Sequence, residues 1–396
     1  MKQKVHLTYQ DPEIQYEPNE KRSGEHAQGE SMITLSQLQI KGFKSIQSLE
    51  GLNLGPVNVL IGANGAGKSN LISFFQMLAW MIGGTGNLQL HIGKHGGGSS
   101  FLFDGSLVTT RMQADLTFET QAGINEYAFE LVHAAKDSLI FADERYRFSR
   151  TDMGGRAEWS QLGAGHKEAA LLEREDQTAK TILSMLKRCV VYQFHNTSEN
   201  ARIRQYWNVD DNKFLKEDGA NLAPFLLRLR EERTAYYRRI VATIQDIAPF
   251  FDDFALEPEG HKLLLQWREK GSDVIFGPHQ ASDGSLRMMA LVSLLLQPED
   301  QLPSVIIIDE PELGLHPYAI TIVAGLLQSI SSHAQVLLAT QSTAFVDQFE
   351  PQDIVVVERS GRESIFKRLD SSRLQEWLED YSLSELWEKN VLGGRP

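Results

Sequence analysis

The residues with the most chemical content lie together at Gly62-Ala63-Asn64-Gly65-Ala66-Gly67-Lys68-Ser69-Asn70. The pattern is G-x-x-x-x-G-K-[ST], and each fixed type has a physical task. Glycines let a backbone close around an anion with its N–H groups pointing inward. A helix opening there adds the positive end of its dipole. Lys68 can reach the β- and γ-phosphates of a nucleotide, and Ser69 can ligate Mg²⁺. A second group stands far along the chain at Asp309-Glu310. Asp309 can hold Mg²⁺ beside Ser69, directly or through water, and Glu310 can orient and deprotonate an attacking water. A polar exit at Thr340-Gln341-Ser342 offers a third group. Gln341 can hydrogen-bond a γ-phosphate or a lytic water, but it cannot take a proton as histidine can.

Such groups need rigid elements beneath them. Val57 to Ile61 is a short, apolar, β-branched run and reads as a buried strand. It leads into the glycine turn and a helix from about Ser69 to Trp80. Val305 to Ile308, bounded by Pro303 and Pro311, reads as a central parallel strand that delivers Asp309-Glu310 at its end. Gln335 to Thr340 is another strand, and Pro317 to about Ser331 a helix between the two. Ser282-Asp283-Gly284 opens a helix ending near Leu296; taken alone it is an N-cap.

Around these lie less specific segments. Residues 1–31 are polar and read as a disordered tail. Ile33 to Ile40 alternates as a half-buried strand does. Phe43 is a core candidate, and Lys44 is either a solvated lysine or a neighbour of the nucleotide. Glycine-rich stretches at 83–86 and 96–98 lack a following Lys-Ser/Thr and read as surface loop. Alternation over Val108–Phe118, Glu126–His133, Leu139–Phe148 and Glu158–Leu162 predicts an antiparallel meander. Lys167 to Lys187 predicts an amphipathic helix, Val190 to His195 a short strand, and His261 to Arg268 another. Leu222 to Ile247 predicts a helix carrying Arg228, Arg230, Arg233, Arg238 and Arg239. Its solvated-face reading takes Glu231 and Glu232 as partners, and its alternative is a DNA or partner surface.

Composition narrows the class. The 396 residues are 42% hydrophobic and 23% charged, as in ordinary globular chains. A net charge of -13 supplies no global field for nucleic acid, so any DNA contact must be local or come through a partner. The single Cys189 excludes an internal disulfide framework. With no membrane-length apolar run and no signal-peptide pattern, a cytoplasmic protein is expected.

Together the phosphate loop, Ser282-Asp283-Gly284, Asp309-Glu310-Pro311-Glu312 and Thr340-Gln341-Ser342 resemble the ABC-type ATPase heads of RecF and of chromosome-maintenance (SMC) proteins. The Glu-Pro-Glu-x-x-x-His-Pro form is similar to the RecF-like stand-alone AAA-family ATPases and to the overcoming-lysogenization-defect family. Phe194-His195-Asn196-Thr197-Ser198 and the ending from Tyr381 to Pro396 resemble them too. The resemblance runs from about Ile33 to the C-terminus.

It implies an α/β P-loop NTPase of ABC-ATPase head type. A mostly parallel core sheet, an antiparallel β-subdomain and a helical insertion, at about 165–250, would make up one domain from residue 32 to 396. It implies ATP and Mg²⁺ as cofactors and hydrolysis as the reaction. It also implies an ATP-dependent homodimer in which the Ser282 hydroxyl and Gly284 N–H of one copy meet the γ-phosphate held by the other. Two departures stand out. Gln341 occupies the usual histidine position, and the glutamine that would line the metal site is not obvious. Gln193 is a candidate, with strand-end packing as its other reading.

A DNA repair or maintenance role follows from this resemblance. The alternative is a sensor or switch subunit of a phage-defence module that controls a separately encoded nuclease-type effector. A transporter subunit is disfavoured by Glu312 to Pro317. A GTPase is disfavoured because Asn212-Lys213-Phe214-Leu215 lacks the guanine-reading acid.

Overall fold

A computed structural model describes residues 33–395, so the expected disordered tail lies outside the described residues. The chain opens with β1 (Thr34–Phe43), β2 (Ile46–Asn53) and β3 (Val57–Ile61), followed by α1 (Lys68–Ile82) and α2 (Asn87–Lys94). A meander follows: β4 (Arg111–Thr120), β5 (Gly123–Ala134), β6 (Ser138–Arg150) and β7 (Ser160–Gln161). Then come α3 (Gln177–Lys187), β8 (Cys189–Tyr192) and β9 (Trp207–Asn208), with α4 (Leu222–Glu232) and α5 (Thr234–Ile247). Four short strands, β10 (Phe251–Phe254), β11 (Lys262–Leu263), β12 (Trp267–Glu269) and β13 (Ile275–Phe276), precede α6 (Asp283–Leu295). The remainder is β14 (Val305–Asp309), α7 (Pro317–Ile330), β15 (Gln335–Thr340), α8 (Thr343–Val346), β16 (Ile354–Ser360), β17 (Glu363–Arg368), α9 (Ser371–Asp380) and α10 (Leu383–Glu388).

Two six-stranded sheets organise these elements. The core sheet has the order β17-β16-β3-β15-β14-β8 and is parallel except for its edge strand β17. The second sheet, β2-β1-β4-β5-β6-β7, is antiparallel throughout. Successive side chains of a strand face opposite ways, and the core sheet uses both faces. Val305, Ile307, Leu337 and Val355 join α1, α3 and the antiparallel sheet in one apolar cluster. Ile306, Ile308, Leu338 and Val356 join α4 to α8 and α10 in another. This is why the strands read as continuous apolar runs rather than as alternating ones.

Several local expectations are corrected. The helix expected over Lys167–Lys187 is a 3₁₀ turn, Ala170–Glu173, and then α3, which Asp176 caps. Leu222–Ile247 breaks into two helices at Arg233. The strand expected over His261–Arg268 is the two pieces β11 and β12, and that over Glu158–Leu162 shortens to Ser160–Gln161. The helical stretch at 165–250 is not one body, because α3 packs with the antiparallel sheet and α4 and α5 pack across the core sheet. Between the two glycine-rich stretches the chain folds into α2 rather than continuing as loop. Phe43 is fully buried, as expected. Lys44 is neither freely solvated nor a bare cation: it donates to Ser73 (2.5 Å) and lies over the Phe43 and Phe101 rings.

The phosphate loop is braced from below. The Ser364 hydroxyl of β17 donates to the Ala66 carbonyl (2.6 Å) and is hydrogen-bonded to the Ser45 hydroxyl (2.7 Å), which also accepts from Asn70 (2.6 Å). The packing is so close that a Cβ on Gly67 would lie 2.1 Å from Ser364 Oγ, at a φ of +114°. Gly67→Ala should therefore destabilise the protein by about 2 kcal/mol, the sum of backbone strain and the clash. Adding Ser364→Gly should recover only the clash component. Denaturant melts of both variants check this, and a wild-type midpoint for Gly67→Ala would show that the loop can relax.

Candidate functional site

Parallel pairing brings the three chemical groups together. β15 is flanked by β3 and β14, with Thr340 opposite Ile61 and Ala339 opposite Asp309. The chain ends of all three strands thus open at one edge. There Gly62 begins the phosphate loop, Asp309-Glu310 leaves β14, and Gln341 leaves β15. Gly67 precedes α1, whose first residues are Lys68, Ser69 and Asn70. Lys68 is buried, and its ammonium donates to the carbonyls of Gly62 (2.5 Å) and Ala63 (3.2 Å). Burial pushes its pKa down, while Asp309, Glu310 and Glu312 oppose the shift.

The carboxylates differ in their surroundings. Asp309 is pushed above the ordinary aspartate value first by burial; His195, a hydrogen bond from Ser69 and Lys68 counter that. Glu310 takes a left-handed backbone conformation, φ +44°, and accepts from Gln341 Nε2 at 2.5 Å. Such a conformation is costly for a residue other than glycine and persists only where its neighbours hold it. Glu312 accepts from the Thr340 hydroxyl (2.5 Å) and the Gln341 N–H (3.4 Å) through Oε1, while its buried Oε2 has no partner. Burial is the main cause that raises Glu312. The Ser69 hydroxyl and Asp309 carboxylate are hard oxygen donors of the kind Mg²⁺ takes. Burial that leaves Asp309 short of positive charge fits such a cation. No cluster of three or more His, Cys, Asp or Glu residues suited to a metal occurs among the described residues.

Gln193 follows β8, whose Tyr192 pairs with Ile308, so Gln193 continues the strand beside Asp309. Its N–H is bonded to the Glu217 carbonyl at 2.8 Å, and it lines a cleft of about 1100 Å³ with His195, Trp80 and His91. Both readings of Gln193, metal-site lining and strand-end packing, suit that position. Ser282 is the N-cap of α6 and accepts from the Ser285 N–H at 3.1 Å. It is exposed, as the neighbour of a second copy would have to be. Gly284 packs on the loop after β14: a Cβ there would lie 2.4 Å from the Gly314 carbonyl oxygen.

Three supporting groups acquire their roles only in the structure. Arg287 on α6 donates to the carbonyls of Phe194 (3.2 Å), His195 (2.9 Å) and Leu313 (3.5 Å), tying α6 to the β8 exit and to the loop after β14. Buried Arg204 donates to Thr197 O (2.7 Å) and pairs with Asp283 (2.9 Å), which fixes the turn that opens α6. Glu312 is the third. The one available signal was the Thr340/Glu312 pair of polar residues at two apolar strand ends. His316 has a structural duty, since it caps α7 ahead of Pro317 and accepts from the Ala319 N–H at 3.3 Å.

The basic helix pair resolves residue by residue. Arg228 pairs with Glu232 (2.8 Å), Arg230 donates to Leu256 O (2.9 Å) and Arg233 pairs with Asp300 (3.3 Å). Arg238 and Arg239 remain exposed.

Comparison with known proteins decides the family. Residues 57–347, most of the described chain, match the family described as "AAA domain, putative AbiEii toxin, Type IV TA system". The chain belongs to that family. It is also similar to the energy-coupling factor transporter ATP-binding protein EcfA2 of Staphylococcus aureus, at 27% identity over 124 residues. That match covers 30% of this chain and 41% of EcfA2, so the chain spans less than half of that relative. Among solved structures, an SmcHead bound to the C-winged helix domain of ScpA superposes with a TM-score of 0.56 at 16% identity, covering 86% of this chain and 99% of that one. A Pyrococcus furiosus Smc head domain with an extended coiled coil, bound to the C-terminal domain of ScpA, gives 0.55 at 16% identity, covering 88% and 99%. The fold is therefore that of an ABC-type, SMC-like ATPase head, with the expected parallel core and antiparallel sheet. Among the described residues no helix is long and apolar enough to cross a membrane.

Glu312 supplies a test of the electrostatics. A carboxyl with a raised folded pKa contributes stability that is complete below its ordinary value of 4.5 and is lost as pH rises through the folded value. Glu312→Gln keeps an acceptor for Thr340 and cannot ionise. Its stability should gain on the wild type as pH climbs from about 4.5 to neutrality. Thermal melts of the pair across that range check this, and a constant difference would place the ionised carboxylate in a compensated site.

Proposed function

We propose that the chain is a Mg²⁺-dependent ATP hydrolase whose nucleotide state switches an ATP-bridged homodimer. The observation that supports this best is the meeting of Lys68 and Ser69, Asp309-Glu310 and Gln341 at one edge of three adjacent parallel strands. In this reading the loop amides from Gly62 to Gly67 and Lys68 bind the β- and γ-phosphates. Ser69 and Asp309 hold Mg²⁺, with Gln193 beside them. Bound there, the ion neutralises charge on the transferring phosphoryl group. Glu310 takes a proton from the attacking water, and Gln341, already bonded to Glu310, orients that carboxylate. The exposed Ser282 and the half-buried Gly284 then belong to the γ-phosphate of a second copy.

Of the two biological roles, the switch controlling a separate effector draws more support. The family description names a "putative AbiEii toxin, Type IV TA system" rather than a repair protein. The chain carries a net charge of -13, and three of its five clustered arginines are engaged internally. A DNA repair or maintenance role would have to run through Arg238 and Arg239, and DNA-stimulated hydrolysis by the isolated protein would support it.

Three variants test the reaction. Lys68→Ala should abolish ATP binding or turnover, because the phosphates lose their cation. Gln341→Ala should lower kcat about tenfold to a hundredfold with little change in ATP affinity, while Gln341→His keeps or raises it. A wild-type kcat for Gln341→Ala would make the residue a bystander. Glu310→Gln keeps the shape and loses the base, so with ATP it should sediment as a dimer. Ser282→Arg added to it should restore the nucleotide-free mass. An ATP-independent mass for Glu310→Gln, with a wild-type ATPase rate for Ser282→Arg, would remove the bridged dimer.

A further inference from the structure

The segment that follows β17 and α9 returns to the phosphate loop and touches its machinery at two places. Ser384 donates its N–H (2.8 Å) and its hydroxyl (2.6 Å) to Asp347. Asp347 closes α8, the short helix that Ser342, next to Gln341, caps. Trp387 is fully buried, and its indole N–H donates to the Gly394 carbonyl at 2.6 Å. The Gly394 N–H donates in turn to Glu358 of β16 at 2.8 Å. Gly394 has φ +58° and fits where a side chain would not: a Cβ there would lie 2.7 Å from Val356 Cγ1 and 3.5 Å from the Gly62 Cα. The chain from Ser382 to Gly394 is therefore a strap. One end holds the Gln341 exit and the other lies against the first glycine of the phosphate loop.

Arg395 comes next. It is exposed, and no hydrogen bond or ion pair holds its guanidinium among the described residues. Consecutive Cα atoms are about 3.8 Å apart, so its backbone stands beside Gly62. Asn64 and Gly65, two and three residues beyond Gly62, form the exposed rim of the loop. At this site the carboxylates of Asp309, Glu310 and Glu312 all act on the buried ammonium of Lys68. A nucleotide triphosphate would add further negative charge.

We propose that Arg395 is a phosphate-binding residue of this site, a second cation brought by the strap to the terminal phosphate of a nucleoside triphosphate. The proposal rests on the reading of the site as an ATP site. Guanidinium suits the task, being always charged, less tightly hydrated than an ammonium and able to present two parallel donors to a phosphate. Because the strap is pinned at Asp347, a shift of the Gln341 exit when the terminal phosphate leaves also moves the backbone that carries Arg395. The residue thereby favours the triphosphate over the diphosphate.

The test is calorimetric titration of the full chain with ATP and with ADP, each with Mg²⁺, alongside thermal melts. Arg395→Gln should weaken ATP binding about tenfold, the loss of one charge-assisted contact. It should leave ADP binding within about twofold and the melting temperature unchanged. Arg395→Lys should recover part of the affinity. Trp387→Phe, which keeps a buried ring but removes the donor to Gly394, should lower ATP affinity in the same direction. Lys68→Ala serves as the control for the site itself. If Lys68→Ala loses ATP and Arg395→Gln does not, Arg395 has no part in binding and the ATP reading stands. Equal losses of ATP and ADP, or a loss matched by a lower melting temperature, would overturn the terminal-phosphate assignment. If Lys68→Ala also binds ATP normally, the ATP reading fails and takes this proposal with it.

Discussion

Everything in this site depends on the parallel pairing of β3, β15 and β14. Parallel strands open their C-terminal ends on the same side, so residues scattered over nearly 300 positions arrive at one edge. The pairing is held by apolar burial on both faces, and the two clusters that supply it are built from alternate residues of the same strands. A polar substitution at Ile307 or Leu338 would then reach the site through the sheet, although neither side chain belongs to it. The phosphate loop adds a second constraint. Its backbone is packed against Ser364 and Ser45, so the β17 hairpin and the β1–β2 turn are part of the anion cradle although they contribute no phosphate ligand.

Charge is the other side of the design. Three carboxylates gather around one lysine, and burial raises two of them. The arrangement is short of positive charge, which a nucleotide bound with a divalent cation would supply for Asp309. Glu312 is buried deeper and holds Thr340 and the Gln341 backbone. Its place is to set the exit of β15, while Glu310 remains the carboxylate within reach of Gln341. Two glutamates two residues apart thus have different tasks because one faces the interior and the other the pocket mouth.

Much of this was legible in the sequence. The phosphate loop, the Val305–Asp309 strand and the Gln335–Thr340 strand are continuous in sequence and carry strong local signals, and the structure has them within one or two residues. What was illegible depends on contacts between distant segments. Nothing local distinguishes Arg287 or Arg204 from a surface arginine, because their acceptors include backbone carbonyls far along the chain, Pro278 at 74 residues from Arg204 and Phe194 at 93 from Arg287. Lys44 was weighed between solvent and nucleotide, yet its place follows from two phenylalanine rings, one of them 57 positions later (101 − 44). The break at Arg233 escaped because an amphipathic period runs through it, and only the turn between α4 and α5 shows that two helices share the pattern.

The position of Gln341 carries the final step. An amide at this exit can donate to Glu310 and accept from water at the same time, and the amide itself does not titrate. A histidine there would add a titrating charge a few ångströms from a carboxylate that must itself gain and lose a proton, and the two titrations would be coupled. With Gln341 the protonation state of the exit is constant, and what changes on loss of a terminal phosphate is hydrogen-bond geometry alone. That geometry is transmitted by short, rigid links: Gln341 to Ser342, Ser342 as the cap of α8, and Asp347 at the end of α8 to Ser384. A conformational signal travels well through such links because each allows few alternative arrangements. On the proposed reading of the site, the exit of β15 would report on the nucleotide by displacement of a packed element rather than by a change of charge.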